Sequence, residues 1–422
     1  MISYSADEKL FTNQGIYFGW RVVGAAFIII TVSLGSFDSY GIIFLPVAAE
    51  FGWSRGLLSW VALIAGFTYA FVAPLTGWLA DRFGFKQVAC VMAGILGLGF
   101  LLSSQIQSIW QLYFFMGFIP GLGCPVAIAL PLSLVAHWFV SRRGLAIGVA
   151  SAGVGAGTAM IPLLVAFIVS NYGWRVACGC LGILIWLVCL PLALRTMRSP
   201  KTERNGLNEA RSIAVLDSEK SGEENRGLSV SAALRTASFW LLFWVFAVCN
   251  FGLGMVMIHL VPYAQDAGLP AIAAAGLMTT IGLCGIIGRI LSGLFSDRFG
   301  SRIVLFLGIF IQSGLMLLLL KAGSLWIFYL FAVCFGLSVG GNIMHIPKLT
   351  AQIFGLNSMA AIFGALSVAD GIGFGVGPLI AGYLFDATGS YDISFIIVAI
   401  GLALVAFLTL HLKEKSLLTV VP

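Results

Sequence analysis

The sequence predicts an all-α integral membrane protein with twelve transmembrane helices in two pseudo-symmetric six-helix bundles. Three observations predict it. The 422 residues are 60% hydrophobic and only 9% charged, with a mean hydropathy of +1.03, so polar residues are too few to solvate a globule of this size and lipid must cover most of it. Apolar runs recur along the whole length, most near the about 20 residues that a helix needs to cross a ~30 Å hydrocarbon layer, and none alternates as barrel strands do. Finally, the charged turn GWLADRFGFK at Gly77–Lys86 is rewritten as GLFSDRFGSR at Gly293–Arg302, 216 residues later.

The first 15 residues carry mixed charge and no small-residue cleavage site, so no removable signal peptide is expected. Six apolar cores follow at 20–46, 57–80, 86–104, 109–137, 144–169 and 174–195, and six more at 237–264, 272–296, 302–320, 325–353, 358–385 and 390–411. Residues 196–235 are charged, rich in Ser, Gly and Asn and nearly free of aromatics, a flexible linker or lightly structured cytoplasmic loop. The expected domains are therefore a bundle at 1–195, the linker at 196–235 and a second bundle at 236–422.

With both termini cytoplasmic, 18 of the 23 Lys and Arg fall on the cytoplasmic side; Arg55, Arg175 and Lys321 lie outside, and Arg289 and Lys348 lie within spans. The positive-inside rule favours that orientation, in a plasma (inner) membrane, and it accounts for the net charge of +6 without a nucleic-acid partner. The 8 Cys show no metal-ligand spacing and read as small buried hydrophobes. No metal or cofactor is expected.

The 216-residue offset also superposes Pro46 on Pro262, Pro131 on Pro347 and Pro162 on Pro378. Only 13 prolines exist, so these matches argue for internal duplication. Glycine matches such as Gly66 with Gly282 and Gly148 with Gly364 prove less, because Gly is abundant. Two halves with one pattern of helix breakers describe a pseudo-symmetric carrier whose substrate site lies near the midplane between them.

On these residues the chain resembles the major facilitator superfamily over its whole length. The signature G-x-L-a-D-R-x-G-x-[KR] is met at Gly77, Asp81, Arg82, Gly84 and Lys86, and again at Gly293, Asp297, Arg298, Gly300 and Arg302. Gly84 and Gly300 suit a tight reversal, and Asp81 and Asp297 are placed to accept from helix N-termini or to pair with Arg across the halves, a gating contact. The stretches YGIIFLPVAAEFGWSR, HWFVSRRGLAIGVASAGVGAG and GFGVGPLIAGYLFDATGSYDISF are similar to the monocarboxylate transporter branch. That resemblance implies transport of lactate, pyruvate or a related small monoanion, commonly with a proton; related carriers exchange oxalate for formate. Where mammalian-type carriers have a first-span lysine, this chain offers Asp38, Ser39 and Tyr40, and where they have an aspartate one turn before the eighth-span arginine it has Gly285. Oxalate exchangers carry an eleventh-span lysine that this chain lacks, so a monocarboxylate fits better than a dicarboxylate.

Ionisable groups deep in spans are costly and stand as functional candidates: Asp38, His259, Arg289, His345, Lys348 and Asp370. Arg289 lies eight residues before Asp297, too deep to snorkel comfortably, and Gly282, Gly285, Ser292 and Gly293 beside it suggest room for a ligand. Its planar fork suits a carboxylate, a structural ion pair being the alternative. In the tenth span Ser338, Asn342, His345, Leu349 and Gln352 form a stripe expected to line the cavity. Lys348 borders the stripe, where it either joins the cavity or snorkels. The substrate set is thus Arg289, His259, Asn342, His345 and Lys348. Asp370 is expected to pair with Arg289 and to take the coupling proton when an anion claims the guanidinium, with Asp38 and His259 as competing proton sites.

The glycine-rich stretch Gly148–Gly157 follows no strand and lies in an apolar helix, so it is helix packing and not a nucleotide loop. The four His are scattered and the linker is too polar for a core, so the chain is not read as an enzyme. The function expected is secondary transport of a small monocarboxylate by a monomer, proton-coupled and alternating in access. The alternatives are an oxalate/formate-type exchanger and a carrier of an uncharged or amphipathic solute.

Overall fold

A computed structural model describes residues 18–139, 143–198, 228–355 and 359–412. It contains twelve helices long and apolar enough to cross a membrane. They are α1 (Phe18–Phe51), α2 (Arg55–Phe83), α3 (Phe85–Ser103), α4 (Ile109–Trp138), α5 (Arg143–Tyr172) and α6 (Trp174–Thr196). The second set is α7 (Ala237–Asp266), α8 (Ala271–Phe299), α9 (Ser301–Leu319), α10 (Leu325–Phe354), α11 (Met359–Thr388) and α12 (Asp392–Thr409). No strand occurs among the described residues. Large side chains such as Phe71, Leu187 and Trp326 stand exposed, as suits a lipid-covered surface.

Between the two sets, residues 199–227 lie outside the described residues. The end of the expected linker is structured: Val230–Leu234 is helical, with Ser229 capping it, and the Leu228 N–H donates to the Phe354 carbonyl at 2.9 Å.

Each set packs in the same pattern. α1 lies on α5 as α7 lies on α11, and α3 lies on α6 as α9 lies on α12. The 216-residue offset reappears in the backbone. Gly52, Gly84 and Gly173 adopt φ of 66°, 92° and 85°, and their counterparts Gly268, Gly300 and Gly389 adopt 91°, 84° and 71°. A side chain at positive φ is strained, so glycine is what lets both copies turn at the same places. The glycines therefore carry the repeat as strongly as the prolines do, a difference from the sequence reading. The matched prolines lie inside α1 and α7, α4 and α10, and α5 and α11.

The halves meet through α2 with α11, α5 with α8, and α1 with α7. Two of these crossings are copies of one another. Gly66 of α2 rests on Gly371 of α11, and Gly282 of α8 rests on Gly155 of α5, so that a Cβ at any of the four would collide with the facing backbone. Adding 216 to 66 and to 155 gives 282 and 371, so one contact is the other with the halves exchanged.

Two helices are broken. α1 is interrupted at Ser39, between Phe18–Asp38 and Tyr40–Phe51. α4 passes through a π-helical stretch, Leu112–Phe118, and a 3-10 stretch, Cys124–Ala127, before resuming at Ala129–Trp138. Pro120 and Pro125, which lack an N–H, account for the lost ladder bonds. The 3-10 stretch packs on α1, so the N-terminal half brings irregular backbone towards Asp38.

Candidate substrate site

One end of the bundle carries the repeated turns at Gly84 and Gly300, and is called here the motif end; the other is the latch end. At the latch end the halves are tied by charge. Arg55, at the start of α2, forms a two-pronged ion pair with Asp266 at the end of α7, at 2.7 and 2.8 Å. Asp386 of α11 accepts the backbone N–H groups of Arg55 and Gly56 at 2.9 and 2.7 Å, capping α2 from the opposite half. The Arg55 guanidinium lies 3.8 Å above the Phe385 ring and donates to the Tyr391 hydroxyl at 2.8 Å. Trp60 donates to Tyr383 across the same seam at 2.9 Å.

His259 belongs to this latch. Its Nε2 lies 2.9 Å from the Pro378 carbonyl, which can only accept, so Nε2 carries the proton and Nδ1 accepts from Tyr391 at 2.9 Å. Ser59 and Phe44 close around the ring. With both nitrogens occupied and the ring 2% exposed, His259 is a fixed part of the closed end. In the state seen it lies in the latch and not beside Arg289.

At the motif end the symmetry-related glycines Gly77 and Gly293, and Gly148 and Gly364, have no described atom within 4 Å of a Cβ, so among the described residues the halves are tied at the latch end and not at these positions. Gly84 and Gly300 make the expected turns, and the Arg82 and Arg298 guanidinium groups lie over Phe83 and Phe299, each at 5.5 Å. The side chains of Asp81 and Asp297 lie outside the described residues.

Arg289 is 9% exposed and stands between the halves. Its Nη1 donates to the backbone carbonyl of Ser151 on α5, and its Nε has no hydrogen-bond partner among the described residues. No carboxylate pairs with it among the described residues. The expected Arg289–Asp370 pair is therefore not formed. Asp370 faces the other way, within electrostatic range of Tyr69 on α2 and Cys124 on α4. It is half-buried and accepts no hydrogen bond from a described residue. Asp38 is also within range of Cys124, so the two carboxylates converge on the α4 break. The Asp38 Oδ2 accepts from Thr158 of α5 at 2.6 Å.

The small residues around Arg289 serve packing more than ligand space. Gly282 sits on α5, and Gly288 and Gly285 meet Leu337, Gly336 and Gly340 of α10. In the state seen, Ser338, Asn342 and His345 of the α10 stripe turn into their own half. Ser338 donates to the Gly308 carbonyl of α9 at 2.6 Å, and Asn342 packs on Gly308. His345 bonds Ser292 of α8 at 2.6 Å through Nε2, while its Nδ1 has no hydrogen-bond partner among the described residues. The Lys348 Nζ donates to Ser296 at 2.9 Å. His345 and Lys348 thus clip α10 to the turns of α8 that follow Arg289, and Asn342 lies against α9.

What the sequence reading missed is the part played by α5. Gly153 and Gly157 press against α1, and Gly155 presses against α8. The face between them presents Ser151, Val154 and Thr158, which receive Arg289 at one end and Asp38 at the other. The repeat held a signal for this face, because Val154 is the counterpart of Asp370 at the 216-residue offset. Of the latch partners, Asp386 and Tyr391 lie in the stretch GFGVGPLIAGYLFDATGSYDISF that carries the resemblance, whereas Asp266 stands in the sequence only as a polar residue at a span end.

The Major Facilitator Superfamily model matches residues 26–311 and 273–419. The chain is 27% identical over 399 residues to monocarboxylate transporter 12 of Mus musculus, spanning 90% of this chain and 82% of that protein. It is 29% identical over 397 residues to monocarboxylate transporter 6 of Homo sapiens, spanning 89% and 76%. A bacterial homologue of the human lysosomal transporter Spinster, solved in an inward-facing and occupied conformation, superposes with a TM-score of 0.69 at 17% identity over 94% of this chain and 97% of that one. These relatives are transporters and not enzymes. With twelve apolar helices, a duplicated half and a family match over most of its length, the chain belongs to the Major Facilitator Superfamily.

Proposed function

We propose that the protein is a secondary carrier of small monocarboxylates that works by alternating access and holds the substrate carboxylate on Arg289. The observation that carries this reading is a guanidinium buried between the halves with, among the described residues, no carboxylate partner and an unused Nε–H. A planar fork in that condition is suited to a bidentate anion, which it would bind in exchange for a single carbonyl contact. The names of the relatives support the substrate class. Asp370 is the proposed proton carrier, because a half-buried carboxylate with no hydrogen-bond or ion-pair partner among the described residues can balance the charge of an arriving anion by taking a proton.

The positive-inside distribution supports an orientation with the motif end and both termini in the cytoplasm, and a plasma membrane is the proposed location. The site lies within one chain and needs no second copy. A cysteine in place of Ser218 should then label only from the cytoplasmic side, and labelling in sealed right-side-out cells would overturn the orientation.

The deciding experiment is uptake into proteoliposomes of labelled lactate, pyruvate, acetate, formate and oxalate, with and without a pH gradient. Monocarboxylates should enter faster with an inward proton gradient, and Arg289→Ala should abolish uptake while the protein still inserts. Near-normal transport by Arg289→Ala sinks the anion site. Oxalate–formate exchange without gradient dependence would favour the exchanger.

A further inference from the structure

The latch has a counterpart inside the first half. Asp266 and Tyr391 stand 216 residues after Glu50 and Arg175. Glu50 lies at the end of α1 as Asp266 lies at the end of α7, and Arg175 opens α6 where Tyr391 precedes α12. In the first half the acid is held at home. Arg175 donates through Nη1 to both carboxylate oxygens of Glu50 and through Nη2 to the Ile106 carbonyl at 2.9 Å, and the Trp174 indole N–H donates to Glu50 Oε2 at 2.7 Å. In the second half no cation stands where Arg175 stands. Among the described residues Asp266 forms its ion pair with Arg55 of the opposite half.

The other latch groups are one-sided too. The counterparts of Arg55 and Asp386 are Ala271 and Ser170, which supply neither a cation nor a carboxylate. Yet the two seams share one backbone plan: Ala271 precedes Gly282 on α8 by the same number of residues as Arg55 precedes Gly66 on α2, and those two glycines make the copied crossings. The seam of α2 with α7 and α11 therefore carries a charged tie that its copy, α8 with α1 and α5, is not equipped to make.

Tyr391 is placed to decide where Asp266 goes. It is 1% exposed, with its ring against Phe385 and Tyr263. Its hydroxyl donates to His259 and accepts at 2.8 Å from Arg55 Nη1, the same nitrogen that holds Asp266 at 2.7 Å. A guanidinium at this position would reach the Asp266 carboxylate, as Arg175 reaches Glu50. A neutral phenol instead gives Arg55 an acceptor and leaves Asp266 its charge.

We propose that Tyr391 is the positioning residue of the latch: by standing where the first half has Arg175, it leaves Asp266 without a cation in its own half and directs it across the seam to Arg55. One duplicated acid is thus a clasp within the first half and a tie between the halves in the second. That this tie opens and closes during transport rests on the alternating-access reading; the placement of Asp266 does not.

The test is the rate at which an impermeant maleimide, added from the latch side to the full-length carrier in proteoliposomes, labels a cysteine introduced at Ser59 or at its counterpart Ala275, both fully buried here. The carrier without the added cysteine is the background. Tyr391→Arg should draw Asp266 into its own half and speed labelling at Ser59 about tenfold, whereas Tyr391→Phe, which adds no cation, should stay within about threefold. Arg55→Ala should add nothing to Tyr391→Arg and should still accelerate labelling in Tyr391→Phe. A mirror arm at partly exposed positions decides the matter where a buried guanidinium prevents insertion. Arg175→Tyr combined with Ala271→Arg should release Glu50 to the other seam and slow labelling at Ala275 about tenfold relative to Arg175→Tyr alone. Equal acceleration by Tyr391→Arg and Tyr391→Phe makes Tyr391 a hydrogen-bonding partner only, and overturns the proposal. An unchanged rate at Ala275 in the double variant overturns it as well. Neither arm measures uptake, so a failure of the anion site at Arg289 is read separately.

Discussion

Arg289 and Asp370 are both ionisable groups deep in apolar helices, yet they have different neighbours, the first against α5 and the second towards α2 and α4. Their separation decides how each substitution should behave. Arg289→Lys keeps the charge but loses the fork, so it should recover little of the transport lost in Arg289→Ala, where losing a desolvated charge-assisted contact costs on the order of 2–5 kcal/mol. Uptake above about a tenth of wild type in Arg289→Lys would show that a point charge suffices. Asp370→Asn should spare anion exchange and remove acceleration by an inward proton gradient. Full gradient-driven accumulation in that variant would move the coupling elsewhere. Both residues are legible as candidates in the sequence, because any charge inside an apolar span stands out. Their expected pairing was not, since helical depth along α8 and α11 says nothing about the direction in which each side chain points.

Among the helices, α8 and α10 show how a polar pattern can mislead. A stripe on α10 looks like a cavity wall, but His345 and Ser338 spend their bonds on α8 and α9 of the same half. His345→Ala should therefore lower thermal stability by about 1–3 kcal/mol, through the Ser292 hydroxyl it leaves unpaired, without changing substrate affinity. A raised apparent KM at unchanged melting temperature would return His345 to the substrate set. The glycine crossings make the complementary case. Gly371→Val places a branched side chain against the Gly66 backbone, and overpacking of this kind costs about 1–3 kcal/mol or more. It should disfavour the state seen here while leaving the packing inside each half intact. Cross-linking between α2 and α11 near the latch end should fall, and an unchanged yield would show that the crossing tolerates a Cβ.

Across the whole molecule, the latch opposes the motif end. Arg55 draws Asp266, Asp386, Tyr391 and, through Tyr391, His259 into one network joining the halves. The Arg55–Asp266 pair is partly exposed, with side chains 13% and 36% accessible, so its contribution is about 1–2 kcal/mol and not the larger figure for a buried pair. Arg55→Ala should shift the balance towards a latch-open state by roughly tenfold, since 1.4 kcal/mol is a factor of ten. A cysteine introduced at Ser59, which is fully buried here, should then react faster with an impermeant maleimide from the latch side. An unchanged labelling rate would make the ion pair ornamental to gating.

The sequence by itself determined the lipid-covered all-helical class, the twelve spans, the duplication and the shortlist of buried charges. Each follows from local composition or from self-similarity at a fixed offset, which a single chain displays without folding. The tertiary structure alone decided which charges share a wall: that Arg289 lies on Ser151 rather than beside Asp370, that Asp38 lies on Thr158, and that His259 joins Arg55 at the closed end. These assignments depend on how helices rotate about their axes and on which half faces which. Those rotations are set by packing, glycine against backbone at Gly66–Gly371 and Gly155–Gly282, between residues hundreds of positions apart whose complementarity no local pattern records.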